Sequence, residues 1–336
     1  MLYFRKSKGS LSMIISSASE KSKEAVDLFS GLQVYFVSKI NALSLEFGEG
    51  KSCWSHVWEC DKGKQGGGKY YESRDKQLFD QLCIQVSDIN EIVRFSATVH
   101  PKNPHLPSLS LSASWGKLKA KKTSWYLSVS LDPSIMNESS FEKNIFSESV
   151  QKSAGGFYKE GIVKGDDYFF IPEAGRHRGV FHYCLENHHA ENFEEEKAFI
   201  LSLFESSMDA YVSIFSTKQH LQSSYSDDKK EEQLAYHTLY LFYLLMKDGD
   251  TASALLTCTR NNTSMLASLP SFVNKDILAL WLEKVDAPQD MLLKQIMKIL
   301  PNAVPTPVDE KSKVKLVQAM VKHYNKYPHN KQSDIF

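Results

Sequence analysis

The feature that most constrains the fold of this sequence is a two-residue alternation of apolar and small polar side chains between residues 82 and 131. It runs through residues 82–86 and 93–99 and is clearest in SLSLSASW, residues 108–115, where four serines alternate with two leucines, an alanine and a tryptophan. Successive side chains of a β-strand point to opposite faces of the sheet. The pattern therefore predicts strands with one buried apolar face and one face that carries small hydroxyl groups.

Further strand-like segments follow. SWYLSVSL, residues 124–131, returns after the lysine-rich tip KLKAKK and predicts a hairpin with the preceding strand. DDYFFIP and RHRGVFHYCLE predict two short strands. TLYLFYLLM, residues 238–246, and SALLTCT, residues 253–259, are interpreted as buried strands, with a core helix as the alternative for the first.

Other segments have the three- and four-residue spacing of amphipathic helices. They are residues 19–47, residues 141–150, a segment that starts at the capping pair Asn192 and Glu195, and residues 273–285, 289–300 and 310–327. Together the elements predict an α/β (α+β) single domain, with a large mainly antiparallel sheet flanked by helices on both faces. We expect an N-terminal extension at 1–18, the domain at 19–300 and a C-terminal helical extension at 301–336.

Composition narrows the class of protein. The 336 residues contain 40 Lys and Arg against 40 Asp and Glu, and no strong basic patch, so a nucleic-acid partner is not expected. The five cysteines lack CxxC spacing, which predicts reduced thiols and a cytoplasmic protein. The sequence has no run of 18 apolar residues, so no membrane span is expected.

Two motifs are reminiscent of ligand sites. In GKQGGGKYY, Gly63 and the pair Gly68-Lys69 have phosphate-loop spacing, but Tyr70 stands where a Mg²⁺-binding hydroxyl is needed, so a glycine turn is the better interpretation. HYCLENHH contains a dense set of metal-ligand types, namely His182, Cys184, Glu186, His188 and His189. Their spacing matches no common metal motif, and no metal is expected.

The basic turn RHR offers two interpretations. Arg176, His177 and Arg178 could hold an anionic ligand through charge-assisted hydrogen bonds. Alternatively, they form a solvated turn paired with Asp166 and Asp167. The sequence leaves both open.

Several stretches, in order, resemble the oxygen-dependent coproporphyrinogen III oxidase family. HPKNPHLP and DDYFFI are the specific pieces, and VWECDKGKQGGG, SWYLSVSLDPS, AYVSIF, LYLFYLLMKDGDT and SMLASLP match in apolar pattern and order, over residues 54–270. The resemblance implies an antiparallel sheet flanked by helices, a homodimer, and oxidative decarboxylation of two propionates of coproporphyrinogen III to vinyl groups by O₂ as co-substrate. It implies no metal or organic cofactor.

The resemblance also implies site residues. Asp132 is the nearest counterpart of a catalytic aspartate, and Arg178 matches a family arginine near the site. The remaining implied substrate-binding positions are His100, Asn103, Ser110, Ser112 and Ser114. The last three stand where the family carries His, Asn and Arg, and other polar family positions are Ala174, Thr238, Leu241, Tyr243 and Asn261 here.

Two functional hypotheses follow. One is an oxidase that acts on a porphyrinogen through Asp132 and Arg178. The other is an inactive homologue that binds a tetrapyrrole, another small molecule or a protein partner. A serine cannot replace an arginine that pairs with a propionate, so the enzyme hypothesis needs other cations, such as Arg94 or Lys119, to reach the same cleft.

Overall fold

The structure is a computed structural model that describes residues 19–60, 65–117, 123–188, 192–221, 224–248, 251, 255–256, 258 and 263–327. Its strands are β1 Trp54–Glu59, β2 Gly66–Glu72, β3 Phe79–Ile89, β4 Ile92–Pro101, β5 Ser108–Gly116, β6 Ser124–Asp132, β7 Phe170–Ile171, β8 Arg176–His177, β9 Phe181–His188, β10 Phe272–Val273 and β11 Thr306–Pro307. Its longer helices are α1 Glu20–Phe47, α2 Ser140–Ala154, α3 Tyr158–Phe169, α4 Phe193–Leu221, α5 Asp227–Met246, α6 Lys275–Leu282, α7 Gln289–Ile299 and α8 Glu310–Lys326.

Seven of the strands form one sheet in the order β1-β2-β3-β4-β5-β6-β9. Every neighbouring pair in it is antiparallel. The four strands predicted from the alternating pattern are β3 to β6, and helices flank the sheet as expected. The predicted fold class is therefore confirmed, whereas the lysine-rich tip, apart from Lys117, lies outside the described residues.

The two faces of the sheet are chemically different, as the alternation predicts. The apolar face packs against α1 and α4. The largest buried side chains at this contact include Phe29 of α1 and Phe95 and Trp125 of the sheet. The other face carries the hydroxyl groups and is covered by α5, where Tyr240 Oη lies 3.3 Å from Thr98 Oγ1 and Gln233 Nε2 donates to Pro101 O at 2.9 Å. The polar face is thus enclosed between the sheet and one helix.

A second apolar cluster lies on the far side of α5. It joins α5 to the C-terminal helices, and Leu316, Val317 and Met320 of α8 are fully buried within it. Tyr324 Oη donates to Leu245 O at 3.2 Å. The segment after Pro301 therefore packs on the helix that covers the polar face.

Helix α4 begins at the predicted Asn192 cap, whose Oδ1 accepts from Glu194 N at 2.9 Å. It is long and apolar enough, by length and composition, to cross a membrane, and half of its apolar window is buried. In this fold it packs against α1 and α2, as a core helix of a folded domain does.

The prediction of a buried strand at TLYLFYLLM was wrong, and the alternative of a core helix is found, because these residues end α5. Residues 236–246 are all buried, so the helix has no polar side to produce a 3.6-residue pattern. In SALLTCT, Leu255 and Leu256 are helical, and the other residues except Cys258 lie outside the described part. DDYFFIP was also mostly wrong as a strand, because α3 continues to Phe169.

The predicted glycine turn is instead the start of β2. Gly63 lies outside the described residues, but Gly66, Gly67 and Gly68 pair with β1 and β3. Gly66 has φ +99°, and a Cβ at Gly68 would lie 2.7 Å from Val86 O and 2.8 Å from the Trp58 ring. The glycines let two strands approach closely, which explains them without a nucleotide.

Candidate functional site

A cavity lies between the hydroxyl face of the sheet and α5; about 130 Å³ of it can hold the centre of a water molecule, and its whole empty space, including solvent at its opening, is about 910 Å³. Strands β3, β4, β5 and β6 form its floor, and α5 with the end of α3 forms its roof. Its polar and aromatic lining comprises Cys83, Gln85, Ser87, Arg94, Phe95, Ser96, Thr98, Ser110, Ser112, Tyr126, Ser128, Tyr168, Phe169, Arg178, Tyr240, Tyr243, Asp248, Thr251, Ser264 and Ser268.

Cross-strand register arranges the floor hydroxyls in rows. Ser96, Ser112 and Ser128 are opposite one another on β4, β5 and β6. In the next row Thr98 is opposite Ser110, whose buried Oγ has no hydrogen-bond partner among the described residues. The floor can therefore donate hydrogen bonds to a ligand, but its hydroxyls supply no charge.

Arg178 is the buried cation of this site. Its Nε lies 3.1 Å from Asp132 Oδ2, and the two side chains are only 4% and 0% exposed. Burial alone would lower the pKa of the guanidinium, but the charge of Asp132 and the neighbouring tyrosines raise this pKa above its ordinary value. Nη2 has no hydrogen-bond partner among the described residues. Arg178 is thus a permanent charge with a donor to spare.

Aromatic rings hold the guanidinium in place. Its central carbon lies 4.5 Å from the ring centre of Phe169, 4.7 Å from Tyr243 and 5.5 Å from Tyr240. Such cation–π contacts strengthen when water is excluded. The solvated-turn interpretation of Arg178 is therefore wrong, whereas Arg176 donates through Nε to the neighbouring His177 O at 3.2 Å.

Asp132, the implied catalytic residue, is enclosed by other protein groups and is absent from the cavity lining. Ser130 Oγ donates to its Oδ1, and Tyr236 Oη donates to its Oδ2 at 3.1 Å. A Cβ on Gly179 would lie 2.1 Å from Oδ1, so the backbone also packs against this carboxylate. Its oxygens are already engaged by Ser130, Tyr236 and Arg178.

The carboxylate that does line the cavity is Asp248, which the sequence interpretation did not select. Tyr168 Oη donates to its Oδ1 at 3.3 Å, and Thr251 Oγ1 donates to its Oδ2 at 2.5 Å. Burial raises the pKa of Asp248, although these hydrogen bonds and Arg178 oppose the rise. An acidic residue directly after the apolar run, in KDGD, was the signal available in the sequence.

The other implied substrate residues divide between two environments. Ser110 and Ser112 line the cavity, whereas Ser114 and His100 are buried on the same face away from it. His100 Nδ1 lies 3.0 Å from Ser108 Oγ, and burial lowers its pKa well below the ordinary value. Asn103 Oδ1 accepts from His105 N at 3.0 Å and shapes the HPKNPHLP bend.

Of the two cations given as examples for the enzyme hypothesis, Arg94 lines the cavity, and Lys119 lies outside the described residues. Arg94 is directly opposite Ser114 on the adjacent strand. Ala174 packs at the second apolar cluster, whereas Tyr243 forms part of the roof. Asn261 also lies outside the described part of the chain.

The possible metal ligands are dispersed. His182 and Cys184 share the polar face, because they pair with Ser130 and Ser128 on β6. Glu186 lines a neighbouring pocket with Lys164, and His188 contacts the ring of Phe157 at 4.8 Å. His189 lies outside the described residues.

The described residues place Asp166, His177 and His182 together, with one ligand atom of each within 4.8 Å of the others. His182 Nε2 accepts from Gly179 N at 3.1 Å, which assigns the ring proton to Nδ1, 3.2 Å from Asp166 Oδ1. Burial lowers the pKa of His182 to about 4, so the ring is neutral at pH 7. Neither ring nitrogen of His182 presents a free lone pair to a metal ion, and the His177 ring stacks on the His182 ring at a centroid distance of 5.1 Å.

Comparisons with known proteins agree with one another. A protein-family model described as coproporphyrinogen III oxidase matches residues 86–297. The mitochondrial oxygen-dependent coproporphyrinogen-III oxidase of Mus musculus is 25% identical over 244 residues, which are 70% of this chain and 51% of the mouse protein. The oxygen-dependent coproporphyrinogen-III oxidase of Rickettsia akari is 24% identical over 227 residues, 61% of this chain and 80% of its own length. The chain spans about half the length of the mammalian relatives it matches.

Proposed function

The chain belongs to the coproporphyrinogen III oxidase family, because the family model matches more than half of its residues, and we propose that the protein binds a porphyrinogen in the cavity under α5 and decarboxylates this ligand oxidatively with O₂. The relatives carry the name of this oxidase, and they match 61–70% of this chain at 24–25% identity. The reaction would place the protein in haem biosynthesis.

The observation that carries the proposal is that Arg178 and Asp248 both line one cavity. Arg178 supplies a fixed positive charge for a propionate. Asp248 supplies a carboxylate whose pKa is raised by burial, which makes it a better proton acceptor from a ring N–H. The floor hydroxyls orient the macrocycle between them.

The proposed reaction balances without a further reactant. A propionate side chain loses a hydrogen from the carbon next to the ring, and the bond between its other carbon and the carboxyl group breaks. The electron pair of that broken carbon–carboxyl bond forms the vinyl double bond. Two electrons and two protons pass to O₂, which becomes H₂O₂, and the carboxyl group leaves as CO₂. Asp248 takes and returns the ring proton, and Arg178 holds the carboxyl end of a propionate.

We further propose that the enzyme is a homodimer and needs no metal or organic cofactor. For the metal part, support comes from His182, because both of its ring nitrogens already have hydrogen-bond partners in Gly179 and Asp166. Elemental analysis of active protein tests the cofactor statement, and light scattering tests the dimer.

The experiment is anaerobic titration with coproporphyrinogen III, followed by admission of air and chromatography of the oxidised porphyrins. We expect divinyl product above a heat-treated control. Asp248→Asn should lower the rate by about 10²- to 10⁴-fold, as expected for removal of an acid–base group. Asp228→Asn, at an exposed position on α5, is the matched control. An unchanged rate in Asp248→Asn would exclude the assigned role.

Binding without turnover is the second candidate function. The enclosure of Asp132 by Ser130, Tyr236 and Arg178 favours it, because the implied catalytic carboxylate has no free oxygen toward a ligand. In the same titration, a bound porphyrinogen that stays unchanged in air identifies a carrier or sensor.

A further inference from the structure

Arg94 occupies the opposite end of the cavity floor from Arg178. It is on the polar face of β4, where cross-strand register places it between Ser87 of β3 and Ser114 of β5. Ser114 is in turn opposite Tyr126 of β6, so Arg94 is level with the start of β6.

Arg178 is level with the other end of the same strand. It contacts Asp132, the last residue of β6, which is six residues beyond Tyr126. At about 3.3 Å per residue, the two levels are roughly 20 Å apart along the floor. Long arginine side chains that reach inward can bring the two guanidinium groups to within about 10 to 20 Å of each other.

The described floor positions between these ends are uncharged. They are Cys83, Gln85, Ser96, Thr98, Ser110, Ser112 and Ser128. A ligand that spans the floor therefore meets a guanidinium at each end and hydroxyl groups along its middle.

We propose that Arg94 and Arg178 bind two carboxylates on opposite edges of one ligand. The site thereby selects a molecule whose acid groups are far apart, and any further acid groups of that molecule contact the hydroxyl floor. The proposal rests on the proposed function, since it specifies which propionates of the porphyrinogen are held. It makes Arg94 a substrate-binding residue that determines specificity.

The test uses stable oxidised porphyrins, so binding is measured without turnover. Coproporphyrin III has propionates around the whole ring, its tetramethyl ester has no charge, and mesoporphyrin IX has two propionates on one edge only. Arg94→Gln should weaken coproporphyrin III binding by about tenfold or more, because a charge-assisted contact is lost. It should leave the ester unchanged and affect mesoporphyrin IX by less than about threefold, because the other end still binds that edge.

Arg74→Gln is the matched control, since Arg74 is exposed and stacks on Trp54 outside the cavity. Circular dichroism of each variant verifies the fold. If Arg94→Gln binds coproporphyrin III as tightly as the wild type, or weakens both acids equally, the two-ended site is wrong although the proposed function stands. If the wild type neither binds nor converts any of these tetrapyrroles, the proposed function fails and this inference fails with it.

Discussion

At the residue scale, the geometry changes what Asp132 and Arg178 are expected to do. The resemblance implied that both face a ligand, but only Arg178 lines the cavity, and Asp132 serves as its buried counter-ion. Removing one member of such a pair leaves an uncompensated charge in a medium that solvates it poorly.

Arg178→Met alone should therefore lower the free energy of unfolding by roughly 3–5 kcal/mol. The double variant with Asp132→Asn should be less destabilised than the sum of the single variants, because the remaining charge is then absent. Urea titration of the four proteins completes the cycle, and Asp227→Asn, from the exposed Asp227–Lys230 pair, is the control and should change nothing measurable. Additive effects would show that the buried contact contributes no coupling.

His182 predicts a specific acid sensitivity. Burial lowers its pKa to about 4 in the folded protein, so between pH 6.5 and 4 the unfolded chain binds a proton that the folded one does not. The contribution of His182 to the free energy of unfolding is fully present above pH 6.5. It falls by on the order of 3 kcal/mol as the pH drops to about 4.

Guanidinium titrations at pH 7.5, 6 and 5 measure this slope, and His182→Gln should make it shallower, because the buried His100 and His237 then contribute without His182. His220→Gln, at an exposed histidine, is the control and should leave the slope as it is. A slope equal in His182→Gln and the wild type would mean that the other buried histidines, His100 and His237, carry the acid response alone.

At the element scale, the sequence predicted those strands and helices whose apolar residues recur at a regular spacing. The alternation identified β3 to β6 and the hydroxyl face, and the spacing in α1, α4 and the C-terminal helices identified amphipathic elements. The end of α5 was interpreted as a strand, with a helix only as the alternative, because residues 236–246 are buried on every side and an apolar run without a polar face fits both. The glycines of β2 were interpreted as a turn because glycine marks turns and close strand contacts alike.

The residues of the candidate site could likewise be predicted only in part. Serine spacing placed Ser110 and Ser112 on one face, and the resemblance selected Arg178. The pairing of Arg178 with Asp132, the approach of Arg94 and the position of Asp248 depend on cross-strand register and on how α5 lies over the sheet. Those relations join residues far apart in the chain, and no local pattern encodes them.

At the scale of the whole molecule, the C-terminal segment is an integral part of the cover over the site. Helix α8 buries Leu316, Val317 and Met320 in the same cluster as α5, which roofs the cavity. A loss of packing in α8 should therefore reach the sheet through α5 instead of remaining at the end of the chain.

Met320→Ala should lower the free energy of unfolding by about 2–5 kcal/mol, because it removes a fully buried side chain. If the chain is one cooperative unit, hydrogen exchange followed by mass spectrometry will show the same loss of protection in β5, α5 and α8. Lys315→Ala, at an exposed position on α8, should leave protection unchanged. Loss confined to α8 would instead show that the segment after Pro301 unfolds on its own, and the roof of the cavity would then be independent of it.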